Sequence, residues 1–473
     1  MQFNTVDFAL FFPIVFTLYW FVFNSSIKIQ NVFLLITSYI FYAFWDWRFL
    51  SLIFLSSIID FLVARRLKNS IGIQRKMLFG ISVFCNLGVL FVFKYFDFFL
   101  ETFVDAFLLF GKPISYTSLQ LVLPVGISFY TFQTLSYTID VYRKRIEPTD
   151  DVISFFAFVS FFPQLVAGPI ERASNLLPQF KRRRIFNIEK SVDGLQLILG
   201  GLFKKMVIAD NCALIVNNLF ENYTEYSGST LFCGAIFFGF QIYGDFSGYS
   251  DIAIGTARLL GFDLMKNFNF PYLSKNLIEF WRRWHISLSS WFRDYVYIPL
   301  GGNRVSNIRL IDNILIVFVV SGLWHGANLT FLAWGLIHGI FLILTIFLLK
   351  HSRIKAFLQT QKSIFLDLLG IGITFFIVTI AWVFFRAETI TEAFQYLQRI
   401  FSTSLFSLPQ GNKWFLLFLI GYMLIEWLQK RREHLLDIRH IFSKSIRYSI
   451  YYAVVFLVLY FGGNLQTFIY FQF

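Results

Sequence analysis

Long uninterrupted apolar runs, separated by short polar punctuation, dominate the chain. Two examples are "FALFFPIVFTLYWFVF" from Phe8 and "GIGITFFIVTIAWVFF" from Gly370. A helix crossing the hydrocarbon core of a bilayer needs roughly 17 to 25 such residues. A transmembrane barrel would instead show segments of about ten residues alternating apolar and polar. The runs are continuous, so the pattern predicts an all-α fold, a polytopic transmembrane helical bundle. Two stretches depart from simple spans. In "ISFFAFVSFFPQLVAGPIERAS", Pro163 and the pair Gly168-Pro169 break a helix, which predicts a re-entrant pair of half-helices. The run from Ile311 to Leu349 is long enough for one span plus a short hairpin arm. Irregular backbone at membrane depth is tolerated only where protein or a water-filled cavity shields it, so both stretches point to a cavity.

Composition agrees with a lipid solvent. Of 473 residues 57% are hydrophobic, 21% aromatic and only 15% charged, and mean hydropathy is +0.63. Cys85, Cys212 and Cys233 lie far apart, which gives no close pair for a disulfide or a zinc site, and they read as packing residues. A net charge of +13 raises nucleic acid as a partner, but the basic residues sit in short clusters between the runs. Membrane topology accounts for them better.

Cytoplasmic loops carry excess Lys and Arg, and the loops here alternate in sign. "ARRLKNSIGIQRK", "YRKRIEP", Lys181 to Arg184, "KHSRIK" from Lys350 and "QKRREH" from Gln429 are basic, whereas Asp97 to Asp105 is acidic. No Lys or Arg occurs between Asp210 and Asp251, and then seven basic side chains fall between Lys266 and Arg309. This alternation predicts roughly ten to twelve crossings and an amino terminus outside the cytoplasm. The first apolar run has no basic leading segment and reads as an uncleaved span. No internal repeat or long linker divides the chain. It is read as one domain over 1–473, with N-terminal helices in 1–150, a catalytic core in 151–350 and C-terminal helices in 351–473.

Between Gln241 and Asn328 the chain becomes rich in groups that disfavour lipid: "QIYGDFSGYSDIAIG", "FWRRWHISLSSWFRDYVYIPLGGNR" and "SGLWHGAN". His325 stands in an apolar surrounding, where a histidine either bonds a neighbouring helix or faces a cavity and marks function. A neutral imidazole is the side chain best poised to take a proton from a hydroxyl near neutrality. Gly326 beside it would let a substrate approach the backbone. His338, thirteen residues on, would sit about 220° around and about 20 Å along a continuous helix, and so shares no site with His325 unless the helix breaks. Trp281, Arg282, Arg283, Trp284 and Arg293 suit an anionic, ring-bearing ligand, since guanidinium pairs with phosphate and indole stacks on flat rings. Anionic lipid headgroups would be served by the same residues. Ser247 and Ser128 lack the glycine spacing of a nucleophile elbow, and there is no phosphate loop or His-Glu-x-x-His pair. Asp245 and Asp251, six residues apart, would face different ways on one helix and read as supporting residues.

"FWRRWHISLSSWFRDYVYIPLGGNR" followed by "SGLWHGANLTFLAWGLIHG" resembles the membrane-bound O-acyltransferase family, in its bacterial O-acetyltransferase branch. "LPVGISFYTFQTLSYTIDVYR", "FFPQLVAGPIERA", "QIYGDFSGYSDIAIG" and the terminal "FIYFQF" extend the likeness over most of the chain. The resemblance implies a helical bundle around a central tunnel in a bacterial cytoplasmic (inner) membrane. It implies His325 as the catalytic histidine and His285 as the second characteristic polar position. Acetyl-CoA would be the acyl donor, with no metal, held near Trp281, Arg282, Arg283, Trp284 and Arg293. It further implies a separate extracytoplasmic partner with an SGNH-type acetyltransferase domain, and an alginate-like exopolysaccharide or peptidoglycan as the final acceptor. His325 would withdraw the acceptor's hydroxyl proton, while His285 would orient the acceptor or steady the developing oxyanion. Alternatives within and outside the family are D-alanyl transfer to teichoic acid, acylation of lipids, and a transporter with a histidine proton relay.

Overall fold

The computed structural model describes residues 1–111, 117–352, 363–411, 413–463 and 466–469. Among these residues every regular element is helical. Five helical segments are long and apolar enough to cross a membrane: Ile27–Asn69, Gly72–Leu108, Asn307–His325, Leu329–Lys350 and Ile364–Arg386. The chain is thus a multi-pass helical membrane protein. Part of the basic run "KHSRIK" and most of the terminal "FIYFQF" fall outside the described residues.

The backbone forms two compact units. The first comprises Met1–Leu195 with Ala253–Met265. Its helices Ile27–Asp46 and Leu50–Asn69 are twenty residues each, about 30 Å, enough to cross the hydrocarbon core. Ser26 caps the first by accepting from Ile29 N–H. At Asp46 the backbone leaves the helix, and its carboxylate accepts from Arg48 N–H at 2.9 Å to start the next turn. Inside Leu50–Asn69 sits a buried carboxylate, Asp60. It is held by neutral donors from neighbouring helices: Ser82 Oγ, Asn86 Nδ2 at 2.8 Å and Thr138 Oγ1 at 3.0 Å. Such ties replace the hydrophobic drive that helix pairs lose in lipid.

The segment expected to break does so. Helices Val152–Ser160, Phe162–Leu165 and Ala173–Phe180 succeed one another, and every residue from 154 to 171 is buried. Side chains satisfy the freed backbone groups. Ser38 Oγ accepts from Phe162 N–H at 3.1 Å, and Gln133 and Gln164 both donate to Phe158 O at 2.9 Å. At Gly168 a Cβ would lie 2.4 Å from Gln164 Cα, so only glycine permits that return of the chain.

The second unit comprises Gln196–Ile252 with Lys266–Phe473. Here one sequence expectation is overturned. The run from Ile311 to Leu349 is not one span and a short arm. It contributes to two near-equal helices, Asn307–His325 and Leu329–Lys350, folded back as a hairpin. Gly326 turns extended at φ −166°, and Asn328 caps the second helix by accepting from Thr330 N–H. Gly322 faces Phe331 O and Gly335 faces Phe318 O so closely that a Cβ at either would lie 2.3 Å away. Small residues at these places let the two backbones approach, as in packed membrane helices.

Candidate functional site

The polar constellation gathers in the second unit, and its two leading histidines are held in different ways. His285 lies between the short helices Leu277–Arg283 and Ile286–Phe292, with φ +42°. A side chain in that left-handed region costs roughly 1–2 kcal/mol, so the surroundings must hold it there. They do so through the extended stretch before it: Asn269 N–H donates to Arg283 O, and Ile286 N–H to Asn267 O, both at 2.9 Å.

Asn267, fully buried, then fixes the ring. Its Oδ1 accepts from Ser287 N–H at 3.3 Å and from Ser287 Oγ at 2.9 Å, while its Nδ2 donates to Ser250 Oγ at 3.1 Å. The backbone N–H can only donate, so the atom facing it is the carbonyl oxygen. His285 Nδ1, 3.0 Å from the same oxygen, therefore carries the proton, and Nε2 is the basic atom of the neutral ring. Burial lowers this imidazole, outside the five candidate spans, to about 3. A ring in that state accepts a hydrogen bond at Nε2 and does not donate one. Of the two roles expected for His285, orienting a hydroxyl fits this tautomer; steadying an oxyanion does not.

His325 ends its helix, buried at 4% exposure, and is fixed by rings. Trp324 and Trp334 both meet it edge-on at 5.0 Å and Phe385 at 5.2 Å. A Cβ on Gly326 would fall 2.1 Å from the Phe331 ring, which explains glycine in "SGLWHGA". The Trp324 indole also lies 6.0 Å from His285, so one ring touches both histidines. Because the helix breaks after His325, His338 comes back alongside it: Trp334 is 5.0 Å from one and 4.9 Å from the other. His338 is fully buried, stacked on Phe280 at 6.2 Å and edge-on to Trp281 at 5.0 Å. Neither of its nitrogens has a hydrogen-bond partner among the described residues.

The residues expected around a donor differ in exposure and partners. Arg282 and Arg293 are exposed, the latter paired with Asp294 at 2.8 Å. Arg283 pairs with Glu279 at 2.5 Å. Trp281 is half-buried against Phe318, Trp334 and His338. Trp284 is enclosed by Tyr243, Phe268, Tyr272, Phe280 and Trp382, and is thus a wall of the aromatic core rather than an open platform. Among the described residues no group of three or more His, Cys, Asp or Glu is placed to hold a metal ion.

Sequence reasoning missed that Asn267, Ser287 and Ser250 surround and orient His285, and it missed a buried charge knot. Lys205 Nζ bridges Asp210 and Asp245, each at 2.8 Å, and Lys204 reaches Asp251 at 2.8 Å. The two aspartates that face different ways on their helix thus each hold one of two successive lysines from the π-helical turn Phe203–Ala209. Asp245 also accepts from Ile469 N–H at 2.7 Å, and Phe468 packs on Tyr249 at 5.0 Å. Two consecutive lysines inside the apolar "GLFKKMVIA" were the available signal, because unpaired cations are not buried there.

Comparison with known proteins shows the family. The membrane-bound O-acyltransferase family model matches residues 149–387, which include His285 and His325. The "Probable alginate O-acetylase AlgI" of Pseudomonas aeruginosa is 38% identical over 416 residues, covering 87% of this chain and 76% of that protein. The "Peptidoglycan O-acetyltransferase" of Helicobacter pylori is 37% identical over 428 residues, 84% of this chain and 79% of that one. The "Teichoic acid D-alanyltransferase" of Bacillus subtilis is 28% identical over 279 residues, 56% and 69% of the two chains. With a family model over half of the chain and relatives alike over most of it, the chain belongs to the membrane-bound O-acyltransferase family and is an acyltransferase of the membrane.

Proposed function

We propose that this protein is an O-acetyltransferase. It takes an acetyl group from acetyl-CoA on the cytoplasmic side and delivers it, through a passage past His325 and His285, to a hydroxyl on the outer side. A separate extracytoplasmic SGNH-type protein would then decorate an exopolysaccharide or peptidoglycan. The carrying observation is that one indole, Trp324, touches two buried imidazoles, one of them locked with Nε2 as its basic atom. The names of the two O-acetylating relatives support acetyl as the group moved.

In this reading His325 is the general base. It withdraws the hydroxyl proton as the oxygen attacks the thioester carbonyl; the carbon–sulfur bond breaks, and the departing thiolate takes the proton from the imidazolium. Such assistance contributes about a hundred- to ten-thousandfold. His285 Nε2 accepts a hydrogen bond from a second donor group of the acceptor molecule and so orients it, which leaves the reacting hydroxyl's proton to His325, a positioning that adds to the rate in a site closed to water. Exposed Arg282 and Arg293 attract the anionic donor, with the amino terminus outside the cytoplasm.

The test is turnover of acetyl-CoA by the purified, detergent-solubilised chain with a suitable hydroxyl acceptor, with D-alanyl and long-chain donors in competition. Acetyl ester formation that disappears in His325→Ala, with the fold retained, is expected. Preference for D-alanyl or long-chain donors, or normal turnover in the variant, would overturn the reading.

A further inference from the structure

A second site lies in the first unit, where the basic stretch Lys181–Asp193 meets residues 258–263. Six basic and three acidic side chains fall in these two stretches. Between them is a cavity of about 210 Å³ lined by Trp20, Asn187, Lys190, Ser191, Arg258 and Gly261, with two aliphatic residues. Its wall therefore holds two cations, two neutral hydrogen-bonding side chains and an indole, and no carboxylate. Each cation is paired with an acid that does not line the cavity. Arg258 is paired with Asp193, and Lys190 reaches Asp263 at 2.7 Å, a pair in which both side chains are more than half exposed.

The walls are built. Trp20 Nε1 donates to Leu259 O at 3.0 Å, and Tyr19 OH to Leu260 O at 3.0 Å. Arg184, itself buried, donates from Nε to Tyr19 OH at 2.8 Å and from Nη2 to Gln30 Oε1 at 3.1 Å. Gly261 stands at φ +81°, and a Cβ there would press on Arg184 Cγ at 3.2 Å. Asn187 Oδ1 accepts from Lys190 N–H at 2.9 Å, which sets the lysine at the rim.

We propose that this cavity binds a phosphate group. A guanidinium braced by a carboxylate presents its donors in fixed geometry, and a flexible ammonium whose exposed ion pair is worth little can exchange its partner for a phosphate oxygen. The space is below the range of roughly 300 to 1,000 Å³ of whole-ligand pockets, so it suits one phosphate group with its first ester carbon. That chemistry is shared by an anionic lipid headgroup and by a soluble phosphate-bearing acyl donor.

The test uses the full chain and reads binding, so its result is independent of the roles of His325 and His285. Equilibrium dialysis of labelled inorganic phosphate against the detergent-purified protein should give one saturable site. Lys190→Gln should weaken it about tenfold, and Ser191→Leu, which fills the lined space without changing charge, should weaken it too. Arg182→Gln, a neighbouring surface cation, should leave it within twofold. All three are checked for unchanged melting temperature. Repeating the titration in phosphatidylcholine vesicles with and without phosphatidylglycerol, and with adenosine 3′,5′-bisphosphate as competitor, assigns the source. Competition by phosphatidylglycerol identifies a headgroup site, and competition by the nucleotide a donor site. Absence of saturable binding, or equal affinities for wild type, Lys190→Gln and Arg182→Gln, would overturn the proposal.

Discussion

His285 and His325 are both buried and both meet aromatic rings, but at His285 a buried asparagine also fixes the imidazole by hydrogen bonding. Around His285, Asn267 receives three donors on one oxygen and thereby selects a tautomer. Around His325, Trp324, Trp334 and Phe385 meet the imidazole edge-on and restrict its plane. The hydrogen bond to Asn267 fixes which nitrogen of His285 is basic; aromatic packing fixes where the His325 ring lies.

The largest expected effect tests the ring-held side. His325→Ala should lower acetyl transfer by about a hundred- to ten-thousandfold while leaving the melting temperature close to wild type, the range that general-base assistance supplies. Next comes the hydrogen-bonded side. Asn267→Ala strands Ser287 N–H, Ser287 Oγ and His285 Nδ1, and each buried group left unsatisfied costs about 1–3 kcal/mol. The melting temperature should fall clearly, which differential scanning fluorimetry in detergent would record, and Asn267→Asp, which keeps an acceptor, should recover part of it.

A third, smaller effect is in pH. Lowered to about 3, the His285 ring stays uncharged in the folded chain near neutrality, whereas the unfolded chain titrates at about 6.5. The unfolded state binds the extra proton between these values. Stability from this residue is therefore complete above about pH 6.5 and is progressively lost as pH falls below it. His285→Gln should accordingly lose less melting temperature than wild type between pH 7 and pH 5. Equal slopes would mean that the buried ring is reached by water.

The smallest effect is expected at His338, which sharpens the comparison because it has rings and no hydrogen bonds among the described residues. His338→Phe replaces one flat ring by another and should cost less than about 1.5 kcal/mol, with turnover within a few-fold of wild type. A loss comparable to His325→Ala would make His338 part of the chemistry.

Much of the site was legible because its parts violate the local pattern. His325 stands out in an apolar run, and the break near Pro163 is announced by residues that cannot continue a helix. The hairpin was legible only in half. Gly326 and Asn328 carry its turn, but the hydropathy of Ile311 to Leu349 hides a break three residues long. Asn267 was illegible: an asparagine eighteen residues before His285 becomes its orienting group only when the extended stretch at 267–269 pairs with 283–286. Lys204 and Lys205 signalled a burial problem without naming Asp251, Asp210 and Asp245 as its solution.

The sequence by itself determined the solvent and the helical class and singled out His325 in its apolar run, since hydropathy and local helix breaking are properties of neighbours along the chain. Only the tertiary structure decided the tautomer of His285, the return of His338 beside Trp334 and the partners of the buried lysines. Those depend on the direction of side chains from segments far apart in sequence, and a hydrogen bond is formed or lost within about half an ångström.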